Sequence, residues 1–185
     1  MTARQLAAAV ALLAAFATNA RAETYPSRSV TILTPFAAGS VTDAAARLIA
    51  QSLQDTLGQP FVVENRAGAG GLLAASAVAR AQSDGYTLLL TTNSTHSAAN
   101  GLFKSVPYDP IKDFTPIARI GSFPSFVAVH PSLPINSMQE LVAYAKANPG
   151  KLSYGVGNST GQITGETIKK RTGIEVVRVN YRSNP

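Results

Sequence analysis

The sequence predicts an α/β fold with mainly parallel sheets, because short apolar strands alternate with helical segments along the chain. Three of these strands, Val30–Pro35, Tyr86–Leu90 and Leu152–Val156, run into loops rich in Gly, Ser, Thr and Asn. Ligands of such folds settle beyond the carboxyl ends of the parallel strands. We therefore expect the loops 36–42, 91–97 and 157–162 to face one cleft.

In the first half of the chain, each element has a local signal. Apolar residues at helical spacing predict a helix over Asp43–Leu57, and Gly58 stops it. A short strand over Phe61–Val63 and the turn Gly68–Gly71 lead into a second helix, whose apolar face carries Ala74, Ala77, Val78 and Ala81. The wholly apolar run Tyr86–Leu90 predicts a strand buried on both faces.

The second half begins with two strand-like runs, Pro116–Ile120 and Ser125–Val129. Ser137 and Glu140 then form a capping-box pattern. The remaining pattern predicts, in order, a helix over Met138–Ala147, the strand Leu152–Val156, a helix over Ile163–Thr172 and a strand over Ile174–Val179.

The N-terminus is typical of a secretory signal peptide cleaved after Ala22, since Arg4, an apolar run from Leu6 to Phe16 and Ala20-Arg21-Ala22 follow one another. The alternative is a membrane anchor, but the apolar run is shorter than the roughly 20 residues that a span needs. Without residues 1–22 the chain has 16 − 2 = 14 basic and 10 acidic residues, a net charge of +4.

Composition narrows the function. The absence of Cys excludes disulfides and thiol chemistry, and with two His and no clustered carboxylates we expect neither a metal site nor a cofactor. The cluster Lys169-Lys170-Arg171 fits a helix C-terminus better than a nucleic-acid contact. Gly155-Val156-Gly157 and Gly68-Ala69-Gly70 lack the third Gly of a dinucleotide fingerprint.

The three loops suit an anion, because a helix start offers unpaired N–H groups and partial positive charge. None of them contains Lys or Arg, so the donors would be neutral, as suits reversible binding. Asp43 either completes a capping box with Ser40 or belongs to the ligand shell. His96 either orders its loop or acts in catalysis. The loop hydroxyls either line the cleft or cap their own helices.

An exported serine hydrolase is the alternative function. Gly157-Asn158-Ser159-Thr160-Gly161 matches the G-x-S-x-G pattern of a nucleophile elbow between strand and helix. However, only 185 − 159 = 26 residues follow Ser159, and neither His96 nor His130 lies among them. An enzyme is therefore not the expected function.

Taken together, segments spread in order from Tyr25 to Tyr181 resemble the Bug receptors, the periplasmic solute-binding proteins of tripartite tricarboxylate transporters. The segments that carry the resemblance are Tyr25–Arg28, Pro35–Asp43, Val63–Arg66 with Gly68–Gly71, Asp84–Leu88, Asn93 with Thr95-His96, Pro107–Pro110 with Lys112–Phe114, His130–Pro134 and Ala147–Leu152.

The resemblance implies a periplasmic-binding-protein type II fold, in which two lobes close around a small carboxylate, and it implies permease subunits as partners. It makes the protein a non-enzymatic receptor with no nucleic-acid partner. Three positions depart from the family pattern: Ser40, Gln162 and the segment Val179–Ser183. We expect the ligand to contact Phe36, Ala38, Gly39, Ser40, Asp43, Asn93, Ser94, Thr95, His96, Asn158, Ser159 and Thr160.

Family members continue well beyond this length, so the resemblance implies a truncated second lobe. The expected organisation is a signal peptide over 1–22, the opening part of the first lobe over 23–120 and the start of the second lobe over 121–185. We expect such a chain to expose apolar residues such as Phe123, Phe126 and Val129 and to be poorly soluble or partly molten, a truncated relic with little or no ligand affinity. The alternative is a compact single lobe, alone or paired with another polypeptide, that works as a receptor.

Overall fold

A computed structural model describes residues 24–181 and 183, and the predicted signal peptide lies outside them. The described residues form two parallel sheets with helices between the strands. The first sheet contains β1 (Val30–Thr34), β2 (Phe61–Asn65) and β3 (Thr87–Leu89) in the order β2-β1-β3. The second sheet pairs β4 (Leu152–Val156) with β5 (Val176–Asn180).

The helices of the first half connect these strands. They are α1 (Val41–Leu57), α2 (Leu72–Ala79) and the short α3 (Ala99–Leu102). Helix α1 begins at the N-cap Ser40 and ends at Gly58, whose φ of 72° provides the left-handed C-cap predicted for it. The second loop leads to a 3₁₀ turn (Asn93–Thr95) and to the four-residue α3.

In the second half, α4 (Met138–Ala147) and α5 (Ser159–Thr172) flank β4. The predicted capping box of α4 is confirmed, with a small shift. The Ser137 hydroxyl accepts from the Glu140 amide, while the Glu140 carboxylate accepts from the amide of Asn136 rather than from that of Ser137. Helix α5 begins four residues earlier than predicted, because Asn158 is its N-cap.

Two hydrophobic clusters cover the two faces of the first sheet. Ile32, Ala50 and Phe61 belong to one cluster, against which Leu88 packs. Leu89 packs instead against the second cluster, formed by Leu72, Ala75, Ala99 and Tyr108. Because neighbouring strand residues point to opposite faces, Leu88 and Leu89 show that helices cover both sides of this sheet.

Two strand predictions are wrong. The runs Pro116–Ile120 and Ser125–Val129 have no regular secondary structure, because no strand lies beside them to complete a ladder among the described residues. The run Tyr86–Leu90 is half-buried rather than fully buried, and only its central residues form β3, which lies at an edge of its sheet. The expected exposure of Phe123 and Phe126 is confirmed, whereas Val129 is half-buried.

No helix among residues 24–181 is both long enough and apolar enough to cross a bilayer. The same described residues contain no group of three or more His, Asp or Glu side chains arranged to hold a metal ion.

Gly71 fixes the distance between two segments at the carboxyl edge of the first sheet. It has a φ of 96° and is buried between Pro35, which directly follows β1, and Thr95 of the second loop. A Cβ atom added here would lie 2.6 Å from Thr95 Cγ2 and 3.1 Å from Pro35 Cβ. Only glycine therefore allows the turn to enter between the two loops.

We expect Gly71→Ala to lower the free energy of unfolding by about 2 kcal/mol, because it combines a left-handed backbone with overpacking of a buried contact. Urea titration measures the loss. Gly101→Ala is the matched control, since a Cβ atom at Gly101 meets no atom within 4 Å. Equal stability of the two variants would contradict the role assigned to Gly71.

Candidate functional site: three loops at one edge of the sheets

The first loop is fixed by the carboxylate of Asp43, the third residue of α1. The Ser40 hydroxyl accepts from the Asp43 amide (3.2 Å), and Asp43 Oδ2 accepts from the amide of Gly39 (2.9 Å). Asn65 Nδ2 donates to Asp43 Oδ1 (2.9 Å) and to the carbonyl of Phe36 (3.1 Å). Arg47 donates from Nε to Oδ2 (3.1 Å). Asp43 is thus a reciprocal helix cap that also joins the loop to the end of β2.

The same contacts determine the charge of Asp43. The Arg47 guanidinium, and after it the Gly39 amide and Asn65, hold the pKa of Asp43 at about 2, although burial alone would raise it. The side chain is therefore ionised at neutral pH, and both of its oxygens accept protein hydrogen bonds. These bonds stabilise the first loop. They also occupy both carboxylate oxygens of Asp43, which a hydrogen-bond donor of a ligand would need as acceptors.

The second loop is built around Thr95, which is completely buried. Its hydroxyl lies 2.9 Å from the hydroxyl of Thr91 and 2.9 Å from Nδ1 of His96, and its carbonyl accepts from the hydroxyl of Tyr108 (2.7 Å). The His96 ring contacts Phe114, with ring centroids 4.7 Å apart. Burial lowers the pKa of His96, so that the ring is neutral at pH 7.

The third loop ends in the same way as the first. Asn158 is the N-cap of α5, and its Oδ1 accepts from the amide of Gly161 (2.8 Å). Ser159 and Thr160 are the first two helical residues, and Ser159 is buried. A nucleophile elbow holds its serine in a strained turn, whereas Ser159 has helical geometry. Among the described residues, the contacts of His96 include no carboxylate.

Two long-range hydrogen bonds link the loops of the first sheet to the second half of the chain. The Thr160 hydroxyl donates to Asn93 Oδ1 (3.1 Å), which joins the third loop to the second across 67 residues of sequence. The amide of Ala37 in the first loop donates to the hydroxyl of Ser183 (3.1 Å), just beyond β5. Each bond therefore joins a loop of the first sheet to a residue that follows β4 or β5 of the second sheet.

The two longest helices, α1 and α5, present the same pair of donors at their starts. In each helix the cap side chain takes the amide of the third helical residue, Asp43 in α1 and Gly161 in α5. Helical geometry leaves the amides of the first two residues without an intrahelical partner. These amides belong to Val41 and Thr42 in α1 and to Ser159 and Thr160 in α5.

Two buried hydroxyls at this edge have no hydrogen-bond partner among the described residues, Ser94 Oγ and Thr34 Oγ1. Ser94 is in the second loop and is 1% exposed, while Thr34 ends β1. A buried hydroxyl without a partner is unfavourable by about 1–3 kcal/mol, so its retention needs an explanation. Both oxygens are closed off from solvent, so a group bound at this edge would reach either of them only after a local movement of the chain.

The structure thus places the predicted residues in different roles. Of the first-loop residues, Phe36 and Ser40 are buried, and Ala38 and Gly39 are exposed. The amides of Gly39 and Ser40 already donate to Asp43 and to the carbonyl of Ala37. Asn93 and Thr160 are brought into direct contact, whereas Asn158 caps its helix.

Sequence reasoning missed the residues that support these loops. Arg47, Asn65, Thr91 and Tyr108 each bond to a residue predicted for the site. Of these residues, only Asn65 could have been predicted from the sequence. It is a polar residue at the end of a parallel strand, and such a residue lies beside the loop that follows the neighbouring strand. Tyr108 bonds to Thr95 from 13 residues further along the chain, beyond α3, and no periodic pattern indicates that contact.

Two parallel sheets with polar loops at the carboxyl ends of their strands have the architecture on which ligand-binding proteins are commonly built. The chain belongs to the family described as "Tripartite tricarboxylate transporter family receptor", which matches residues 45–185. The predicted resemblance to Bug receptors is confirmed. BugT of Bordetella pertussis is 37% identical over 174 residues, which are 92% of this chain and 53% of BugT.

Solved structures of similar proteins have the same fold as this chain. The adipate complex of Rpa4515 from R. palustris is 41% identical and has a TM-score of 0.83, covering 86% of this chain and 54% of that protein. MatC from Rhodopseudomonas palustris, with bound malate, is 31% identical with a TM-score of 0.69, covering 86% and 55%. The predicted receptor fold is confirmed. The chain spans about half the length of the curated relatives that it matches.

We expect Asp43→Asn to lower the free energy of unfolding at pH 7 by about 1–2 kcal/mol. The lowered pKa of Asp43 is worth at most about 2.4 kcal/mol, and the half-exposed Arg47 reduces this through solvent screening. A lowered folded-state pKa stabilises above the ordinary value and loses its effect on acidification. The difference between wild type and variant should therefore shrink between about pH 4 and pH 2.

Urea unfolding at several pH values measures this dependence. Asp55→Asn serves as the control, because Asp55 is exposed on the same helix and bonds only to Gln51 among its described hydrogen-bond partners. A constant difference from pH 7 to pH 2 would show that the Asp43 carboxylate does not stabilise the fold as an ion.

Proposed function

We propose that this protein is a solute receptor that binds a small carboxylate at the meeting point of its three loops. The observation that carries the proposal is the pair of equivalent helix starts in α1 and α5. Each presents two amides free of intrahelical partners, and the Thr160–Asn93 bond draws the third loop to the second. The unpaired Ser94 hydroxyl adds a buried polar group in the second loop.

The chemistry of these donors favours a carboxylate that is held reversibly. The loops contain no Lys or Arg, and the nearby Asp43 is already neutralised by Arg47. A hydrogen bond to a charged group contributes about 1.5–3 kcal/mol. A few such bonds, less the cost of association, are compatible with micromolar affinity, about −8 kcal/mol.

The relatives support the ligand class and the setting. Adipate and malate, named with two solved relatives, are both dicarboxylates. The family description supports permease subunits of a tripartite tricarboxylate transporter as partners. The same family, together with the signal-peptide pattern of residues 1–22, supports a periplasmic location. The role is that of a receptor and not of an enzyme.

Calorimetric titration of the 185-residue chain with adipate, malate and citrate tests the proposal. Adipamide is the matched control, because it has the chain length of adipate without its charges. We expect at least one carboxylate to bind with micromolar affinity and adipamide not to bind. Equal binding of adipate and adipamide, or no binding by any carboxylate, would contradict the proposal.

Ser94→Ala separates ligand binding from stability. Removing a buried hydroxyl that has no described partner should raise the free energy of unfolding of the free protein by about 1 kcal/mol. The same change should weaken carboxylate binding about tenfold or more, because the hydroxyl is proposed to donate to the ligand. Thermal unfolding with and without adipate measures both effects.

Ser97→Ala is the control in the same loop, since Ser97 is exposed and its hydroxyl donates to the carbonyl of Asn93. It should leave both quantities within a few tenths of a kcal/mol of wild type. A Ser94→Ala variant that binds adipate as tightly as wild type would remove Ser94 from the site.

A further inference from the structure

Three side chains of the second loop form a hydrogen-bonded series that ends at the ring of His96. The hydroxyl of Thr95 lies 2.9 Å from the hydroxyl of Thr91 and 2.9 Å from Nδ1 of His96. Thr95 is completely buried, whereas Thr91 and His96 are half-buried. Thr95 therefore cannot touch a solute itself, and any effect that its hydroxyl has on binding acts through a neighbouring side chain.

The Thr95 hydroxyl carries one hydrogen, and the direction of that hydrogen decides the state of the His96 ring. A neutral imidazole has one protonated and one bare nitrogen, and the hydrogen bond at one nitrogen sets the state of the other. If Thr95 donates to Nδ1, the ring proton lies on Nε2, which is then a donor. If Nδ1 donates to Thr95, Nε2 is an acceptor. A carboxylate only accepts hydrogen bonds, so it needs the first state.

The hydroxyl of Thr91 favours this first state. When Thr95 donates to His96, the Thr91 hydroxyl can donate to Thr95 Oγ1, and both hydroxyl hydrogens are used within the series. In the opposite direction Thr95 donates to Thr91, whose own hydrogen then has no acceptor among its described hydrogen bonds. A hydroxyl hydrogen without an acceptor in a half-buried position is unfavourable. The complete series therefore runs from Thr91 through Thr95 to Nδ1 of His96.

The position of the His96 ring is fixed by aromatic contacts. The ring lies against Phe114, with centroids 4.7 Å apart, and Phe114 packs edge-on against Tyr108, with centroids 5.5 Å apart. Tyr108 in turn donates to the carbonyl of Thr95 (2.7 Å), which holds the backbone of the same loop. Because Nδ1 is bonded to Thr95, Nε2 is the ring nitrogen that remains for a solute.

We propose that Thr95 is a positioning residue that fixes His96 as the Nε2–H tautomer, and that this N–H donates to the bound carboxylate. The inference rests on the proposed function, since it names a further donor of the same site. The donor is uncharged, like the amides at the starts of α1 and α5. The second loop thus contributes a neutral donor that a completely buried hydroxyl sets in advance of binding.

Long-range ¹H–¹⁵N NMR spectra of the imidazole nitrogens test the tautomer in the free 185-residue protein at about pH 8, where histidine side chains are neutral. His130 is the internal reference, because its Nδ1 accepts from the amide of Ser132 (3.2 Å) and its neutral ring therefore has the proton on Nε2. We expect Nε2–H at both histidines in wild type, and a mixture of tautomers at His96 alone in Thr95→Val. A wild-type His96 with its proton on Nδ1 would overturn the proposal, whether or not Thr95→Val folds.

A double-mutant cycle tests the contact, with the carboxylate among adipate, malate and citrate that binds wild type most tightly. Calorimetry should show that His96→Ala weakens binding about tenfold or more. Thr95→Val should weaken it about threefold or more, because only part of the molecules then have the donor tautomer. The double variant should bind like His96→Ala alone, since Thr95 acts through the ring. Thr95→Ser keeps the hydroxyl and should restore both the tautomer and the affinity.

The outcomes separate this inference from the function on which it rests. Additive losses in the double variant would show that the Thr95 hydroxyl acts on the fold alone, and unchanged affinity in His96→Ala would remove the ring from the site. Either result would overturn the inference while the receptor function stands. No binding of the three carboxylates by wild type would instead overturn the proposed function, and the inference with it.

Discussion

Strand β1 lies between two parallel neighbours, and this constraint determines where the loops that follow β1, β2 and β3 leave the sheet. Its residues pair with β2 from Val30 to Thr34 and with β3 from Thr31 to Leu33. Parallel strands end at the same edge, so the loops that follow β1 and β3 emerge side by side. Gly71, in the turn that follows β2, enters between them. Strand direction thus places the first two loops side by side, and the side-chain bond from Thr160 to Asn93 adds the third loop.

The helix starts α1 and α5 add the same chemistry twice. A polar N-cap takes the third amide in each helix, so the cap stabilises the fold and the first two amides keep the partial positive charge of the helix start. The carboxylate of Asp43 has a structural role, because both of its oxygens accept hydrogen bonds from protein donors. Neutral donors then remain for a solute, and a neutral His96 lies nearby in the second loop.

Local signals made part of this predictable from the sequence. The Ser40 cap, the Gly58 stop and the Ser137 cap depend on residues within one helical turn, and all three are present. The bonds of Asn65 to Asp43 and of Tyr108 to Thr95 join distant elements, which a single sequence does not pair. The strand predicted at Pro116–Ile120 is wrong although its local pattern is that of a strand. A strand also needs a neighbouring strand, and none of the described strands pairs with this run.

The central claim is that one carboxylate contacts all three loops. An NMR titration of the ¹⁵N-labelled chain with adipate tests it most directly, because each backbone amide reports separately. We expect saturating shifts, with a common dissociation constant, at the amides of Val41 and Thr42, of Ser94, and of Ser159 and Thr160. Shifts confined to one loop, or centred on the open groove beside Leu72 and Arg80, would contradict a shared site.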